Sequence, residues 1–90
     1  MRTKIFIFSK GHHWSKVLAE KLALSPGWVH LSIPEDLSGY EGALVLLELD
    51  TYSEHPRKDA ILEALKVAED RRFFQTVALS LDKLHLVKRT

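Results

Sequence analysis

Side chains able to do chemistry follow the apolar runs of this sequence, at the points where predicted strands end. In an open sheet of parallel strands the carboxyl ends of the strands meet at one edge, and ligands usually bind there. We therefore predict a single rim that gathers whatever chemistry the chain has. Its members would be Ser9, Lys10, His12, Glu48, Asp50 and Ser80, together with His13, His55 and Asp82.

Histidine and aspartate side chains at this rim suggest a metal site. His12 and His13 are adjacent, however, and neighbouring residues on a helix point about 100° apart, which makes them a poor chelating pair. One of them with Asp50 and His55 would form a weak set of ligands. Surface histidines near a helix start are the simpler interpretation, so we expect no metal and no cofactor.

Hydroxyl and glycine residues at the rim fit known catalytic patterns no better. Ser80 with Asp82 and a histidine would resemble a nucleophile set, but no Gly-x-Ser-x-Gly elbow surrounds Ser80. The turn Ser9-Lys10-Gly11 before a helix is suited to phosphate, yet it holds one glycine and lacks the phosphate-loop spacing. We therefore assign no catalytic residue.

Length and composition narrow the class of protein. The 90 residues are predicted to form one domain, residues 1–90, and 13 basic against 12 acidic residues give a net charge of +1. Such a balance offers no general attraction to nucleic acid or to an anionic membrane. There is no cysteine, and the first apolar run is too short to span a bilayer. A cytoplasmic protein without nucleic-acid or membrane partners is the expectation.

The elements that must position the rim can be assigned from periodicity. Runs that are apolar on both faces indicate buried strands, strict alternation indicates an edge strand, and spacing of three and four residues indicates helices. The predicted strands are Lys4 to Phe8, Trp28 to Ile33, Gly42 to Asp50, Thr76 to Leu81 and Leu84 to Val87. The predicted helices run from His12 to Leu24 and from Pro56 to about Arg72.

This order favours an α/β fold: a small three-layer, mostly parallel doubly wound sheet that ends in a C-terminal hairpin. The hairpin follows because only Asp82 and Lys83 separate the last two strands, whereas a parallel crossover needs a dozen residues or more. A ferredoxin-like α/β plait is the alternative, since the connection from Pro34 to Gly42 suits a hairpin. The direction of the strand Trp28 to Ile33 therefore stays open.

The segment Val45 to Ser80 resembles the middle of a response-regulator receiver domain, which has a flavodoxin-like fold. The likeness lies in a strand ending Leu-Leu-acid-Leu, a helix, and a strand ending Ala-Leu-Ser. The resemblance implies that Glu48 occupies the position of the phosphoryl-accepting aspartate and that Ser80 matches the family's hydroxyl residue. The family's Mg²⁺-binding acidic pair is replaced here by Ser9 and Lys10, so the resemblance is to a degenerate, truncated member.

These departures predict a non-catalytic pseudo-receiver: a protein-interaction domain in signalling or regulation that is not phosphorylated. In such a domain Lys10 would pair with Glu48 across the rim. The family's last two helices are missing, so the sheet would be left partly uncovered and would bind a protein partner or a second copy of the chain. The alternative is a small metal- or phosphate-dependent enzyme that acts at the C-terminal rim.

Overall fold

A four-stranded sheet with two helices forms the domain in the computed structural model, which describes residues 4–71 and 74–81. The strands are β1 (Lys4–Phe8), β2 (Val29–His30), β3 (Ala43–Glu48) and β4 (Phe74–Leu79). The helices are α1 (His12–Lys21) and α2 (Lys58–Arg71). Two short 3₁₀ turns, Pro34–Leu37 and Tyr52–Glu54, lie in the connections that precede β3 and α2.

All strand pairs among residues 4–71 and 74–81 are parallel, and the order across the sheet is β2-β1-β3-β4. The ferredoxin-like plait is therefore wrong, and the strand predicted at Trp28 to Ile33 runs parallel to β1 but pairs only at Val29 and His30. Because β2 and β3 flank β1 on opposite sides, residues 31–42 must cross the sheet. They do so with a single 3₁₀ turn, so this connection makes a parallel crossover, and the hairpin that its length suits is not formed.

The central strands β1 and β3 are buried on both faces, as their apolar runs predict. On one face Phe6 and Phe8 pack with the buried stripe of α2. On the other face Ile7 and Leu46 pack with Leu18 of α1. The two helices thus lie on opposite sides of the sheet, which gives three layers.

The helix assignments agree closely with the structure. The inner side of α2 consists of Ile61, Leu65 and Ala68, with Ala64 partly buried beside them, as the spacing predicts. Helix α1 ends three residues earlier than predicted, because Ala23 adopts a left-handed conformation with φ of 54°. The amide of Leu24 then bonds back to the carbonyl of Ala19 and closes the helix end.

The last described strand is shifted by two residues from its prediction. It begins at buried Phe74, which pairs with Ala43, and it ends at Leu79 instead of Leu81. Leu81 leaves the ladder because its amide is directed to a side chain of β3. The C-terminal hairpin, with its strand Leu84 to Val87, lies outside the described residues. Neither helix in the described part of the chain has the length and apolar character needed to cross a membrane.

Candidate functional site

The carboxyl ends of the four parallel strands meet at one rim. Ser9 follows the last residue of β1, His30 ends β2, Glu48 ends β3 and Ser80 follows β4. The parallel register places these positions side by side, because Phe8 pairs with Leu47 and Glu48 pairs with Leu79. The rim expected from the sequence is therefore the C-terminal edge of this sheet.

Glu48 is fully buried, although its place near the end of a strand predicts a carboxylate that faces solvent at the rim. Its Oε2 accepts hydrogen bonds from the backbone amides of Asp50 (3.1 Å) and Leu81 (3.4 Å). Its Oε1 accepts one from the hydroxyl of Thr51 at 2.6 Å. These donors occupy both oxygens, which is the usual way in which a buried carboxylate is accommodated. The carboxylate therefore holds the chain that follows β3 and β4 and does not face solvent.

Thr51 connects this buried carboxylate to the turn after β1. Its Oγ1 accepts a hydrogen bond from the backbone amide of Lys10 at 3.2 Å while it donates to Glu48. A hydroxyl can do both because it has one proton and two lone pairs. Three strand ends are thus linked through one threonine and one glutamate.

The side chain of Lys10 does not pair with Glu48, so the predicted pairing across the rim is wrong. Its Nζ lies 3.3 Å from Oε1 of Glu54, and both side chains are about half exposed. The Glu48 carboxylate turns inward and is out of reach of Lys10, whereas Glu54 lies on the solvent side of the rim. An exposed pair of this kind contributes little to stability.

Asp50 and Ser80 form a second, exposed contact at the rim. The hydroxyl of Ser80 donates to Oδ2 of Asp50 at 2.9 Å. This bond ties the residues that follow β3 and β4. Asp82, which the nucleophile hypothesis also invoked, lies outside the described residues.

A chain of hydroxyl groups runs from Ser9 to His30. Ser9 is fully buried, and its hydroxyl donates to the carbonyl of Gly11 at 2.8 Å. Its Oγ also lies 2.8 Å from Oγ of buried Ser15, whose own Oγ lies 2.7 Å from Nδ1 of His30. Because the Ser9 proton is donated to the carbonyl of Gly11, Ser15 must donate to Ser9, and Nδ1 of His30 must donate to Ser15.

His55 is buried beside this chain, and both of its ring nitrogens are engaged. Nδ1 accepts a hydrogen bond from the amide of Arg57 at 2.9 Å, so it carries no proton. Nε2 must then be the protonated nitrogen, and it donates to the carbonyl of Leu31 at 2.8 Å. His55 therefore fastens the start of α2 to the residue after β2 and is not available as a ligand.

His30 lies between two other imidazoles. Its ring centroid is 5.8 Å from that of His55, in a stacked arrangement, and 5.9 Å from that of His12. Burial, followed by the repulsion that a protonated His30 would meet from the imidazoles of His55 and His12, lowers the pKa of His30 from its ordinary value of 6.5, whereas the Asp36 carboxylate acts in the opposite direction. His30 is consequently neutral at neutral pH.

The adjacent residues His12 and His13 are both exposed at the start of α1 but contact different rings. His12 lies 5.5 Å from Trp28 and close to His30, whereas His13 lies 5.6 Å from Trp14. No group of three or more histidine, aspartate or glutamate side chains within residues 4–71 and 74–81 is arranged to hold a metal ion. The ligand set of His12 or His13 with Asp50 and His55 is therefore not assembled.

A cavity of about 370 Å³ opens beside the rim at the start of α2. It is lined by His55, Pro56, Arg57, Lys58, Asp59 and Ala60. A wider groove lies at the opposite edge of the sheet, between residues 23–28 and 39–44. None of the six rim candidates, Ser9, Lys10, His12, Glu48, Asp50 and Ser80, lines either concavity.

Three residues of the rim network were not singled out from the sequence: Ser15, His30 and Thr51. Ser15 carried a usable signal, because it lies three and four residues before Leu18 and Ala19 on the inner side of α1. A serine in that stripe needs a buried partner. No comparable pattern marks Thr51, whose partners come from β3 and the turn after β1.

Comparison of this chain with protein-family models, with curated proteins and with solved structures found no match. The likeness to receiver domains stays a prediction.

Proposed function

We propose that this chain is a non-catalytic, receiver-like interaction domain whose partner is a second copy of itself, bound along the edge of β4. The observation that carries the proposal is the burial of Glu48, at the position that the resemblance assigns to phosphoryl transfer. A carboxylate must reach the phosphorus atom to attack it, and both oxygens of Glu48 are held by donors of its own chain.

The residues that replace the family's acidic pair support the same proposal. Ser9 is fully buried with its hydroxyl engaged, and Lys10 places a cationic side chain at the rim. Mg²⁺ requires oxygen ligands that are accessible and preferably anionic. A buried hydroxyl is not accessible and an ammonium group has no oxygen, so these two residues do not form a Mg²⁺ site. The rim is suited instead to holding one conformation.

The edge strand β4 is the surface that we assign to binding. It contains no charged residue, no proline and no glycine, although edge strands of monomeric proteins usually carry such residues to prevent pairing. Within the described residues, no strand pairs with the outer side of β4. The strand predicted at Leu84 to Val87 lies outside those residues and would take this edge in the predicted hairpin, so the proposal requires that the partner copy takes the edge instead. Val77, on the α1 side of the strand, keeps 42% of its surface exposed.

The backbone of β4 shows which groups the partner would meet. In a parallel strand, the amide and carbonyl of one residue point to the same side, and successive residues alternate. The carbonyl of Leu79 accepts the amide of Leu49, so Val77 and Leu79 direct their backbone groups to β3. Thr76 and Ala78 therefore direct theirs outward. A second copy, related by a two-fold axis, presents the same groups and can pair with them antiparallel.

The test is sedimentation velocity of the full chain from about 5 to 500 µM, with two matched variants. Val77→Lys places like charges at the proposed interface, whereas Val67→Lys adds the same charge at an exposed valine of α2. We expect a concentration-dependent dimer for the wild type and Val67→Lys, and at least about tenfold weaker association for Val77→Lys. Circular dichroism checks that both variants fold.

Two outcomes would contradict the proposal. A wild-type chain that stays monomeric throughout this range has no self-association to explain. Equal weakening by both lysine variants would place the interface away from β4.

A further inference from the structure

We propose that His12 and His30 form a binding site for one transition-metal ion of the Zn²⁺, Ni²⁺ and Cu²⁺ class. The two rings come from different elements, the first residue of α1 and the last residue of β2. Their centroids lie 5.9 Å apart with an angle of 71° between the ring planes. The site is separate from the β4 edge and goes beyond the proposed interaction function.

The hydrogen-bond chain from Ser9 sets the protonation of His30. Because the Ser9 and Ser15 protons are used within the chain, Nδ1 of His30 carries a proton and donates it to Ser15. A neutral imidazole has one proton, so Nε2 presents a lone pair. Among residues 4–71 and 74–81, no hydrogen bond is made to Nε2 of His30. Metal-binding histidines have this arrangement, with one nitrogen free for the ion and the other donating to a fixed oxygen.

The ring separation is close to that of two imidazoles on one metal ion. With metal–nitrogen distances of about 2.0–2.1 Å and tetrahedral angles, the ring centroids lie about 5 Å apart. The observed 5.9 Å differs by less than ~1 Å. His12 is exposed at the first residue of its helix, so a rotation of its side chain can close the difference.

The neighbouring histidines do not share this property. His55 uses both ring nitrogens in hydrogen bonds, and the ring of His13 lies against Trp14 instead of His30. Among the described residues the site therefore has two protein ligands, and water completes the coordination. Nearby Asp36 supplies the negative charge that acts on His30. Imidazole nitrogen favours Zn²⁺, Ni²⁺ and Cu²⁺ over Mg²⁺, which requires oxygen ligands.

Binding is measured on the untagged full chain by calorimetric titration with ZnCl₂, NiCl₂ and MgCl₂ at pH 7.5. Cu²⁺ binding is followed by the quenching of Trp28 fluorescence. The chain has two tryptophans, so the measurement uses a Trp14→Phe background in which Trp28 is the one that remains. The ring of Trp28 lies 5.5 Å from His12, so a bound Cu²⁺ ion should quench its fluorescence. We expect Cu²⁺ to bind most tightly and Mg²⁺ to give no heat.

Variants separate this site from adventitious histidine binding. His12→Ala and His13→Ala remove adjacent, exposed imidazoles, but only the first lies beside His30. His30→Asn keeps an N–H donor for Ser15 and removes the metal-binding nitrogen. We expect His12→Ala and His30→Asn to weaken Zn²⁺ binding about tenfold or more, and Ser15→Ala, which frees Nδ1, by about tenfold. His13→Ala should change it less than twofold.

The proposal is overturned if the wild type binds none of Zn²⁺, Ni²⁺ and Cu²⁺. It is equally overturned if His13→Ala weakens binding as much as His12→Ala, or if His30→Asn binds like the wild type. Thermal unfolding with and without Zn²⁺ provides a second reading, because an ion bound only by the folded chain raises the melting temperature. That increase should be present in His13→Ala and absent in His12→Ala, and the reverse pattern would also overturn the site.

Discussion

Replacing Glu48 with glutamine tests whether this buried carboxylate serves the structure. Glutamine has nearly the same shape, but it offers one acceptor oxygen and one NH₂ group in place of two acceptor oxygens. If the amide oxygen of the glutamine keeps the hydrogen bonds from the backbone amides of Asp50 and Leu81, its NH₂ group faces the hydroxyl of Thr51. An NH₂ group donates and cannot accept, so the proton that Thr51 gives to Glu48 loses its acceptor.

The expected loss follows from these contacts. A hydrogen bond to a charged group contributes about 1.5–3 kcal/mol, and Glu48→Gln removes one such bond and leaves the other two to a neutral acceptor. We expect the free energy of unfolding to fall by about 2–3 kcal/mol. For a domain of this size, that corresponds to a melting temperature lower by roughly 10–20 °C.

Glu54→Gln is the matched control, since it removes the same charge from the same rim. Glu54 is exposed and pairs with half-exposed Lys10, so its loss should cost about 0.5 kcal/mol or less. Urea unfolding followed by circular dichroism measures both variants. The reasoning is refuted if the two substitutions lower the free energy of unfolding equally, or if Glu48→Gln is as stable as the wild type.

Four further predictions concern the core, the pH dependence and the rim. Thr76→Val should raise the free energy of unfolding by about 1 kcal/mol, since the buried Thr76 hydroxyl has no partner in the described part of the chain; lower stability in urea unfolding would contradict this. Leu65→Asp should unfold the domain, whereas Glu63→Ala on the outer side of α2 should change stability by about 0.5 kcal/mol or less; similar circular dichroism spectra and melting temperatures would disprove the helix orientation. The pKa of His30 in the folded chain lies below its ordinary value of 6.5, so the contribution of this histidine to stability is complete above pH 6.5 and is lost as the pH falls toward the folded pKa. With a chelator present, acid should therefore lower the melting temperature of His30→Asn less than that of the wild type. Incubation with acetyl phosphate and Mg²⁺ should add no phosphoryl group to any rim residue, and a Mg²⁺-dependent adduct in the mass spectrum would show the opposite.

The buried strands and the inner side of α2 could be predicted because their signals are local. A run such as Ile5 to Phe8 is apolar on both faces only where a sheet is covered on both sides, and β1 is. The direction of β2 could not be settled in the same way. The direction of β2 depends on the side of β1 at which the chain arrives after residues 31–42. A nearby proline is compatible with either a turn or a crossover.

The rim could be located from the sequence, but its contacts could not. The end of an apolar run places Glu48 at the edge of the sheet, yet only the backbone that follows it decides whether the carboxylate turns inward. The same inward turn explains why Lys10 lies beside Glu54. The contact between Ser15 and His30 joins a helix to a strand 15 positions apart, and no spacing rule connects such residues.

Amide hydrogen exchange in β4 tests the proposed function most directly, because it reports on the edge itself. The amides of Val77 and Leu79 point to β3 and should exchange slowly at every protein concentration. The amides of Thr76 and Ala78 point outward, so they should exchange fast at low micromolar concentration and slowly at several hundred micromolar. If the exchange of Thr76 and Ala78 does not slow between low micromolar and several hundred micromolar protein, whether it is fast or slow throughout, β4 is not an interface between copies and the proposed function is wrong.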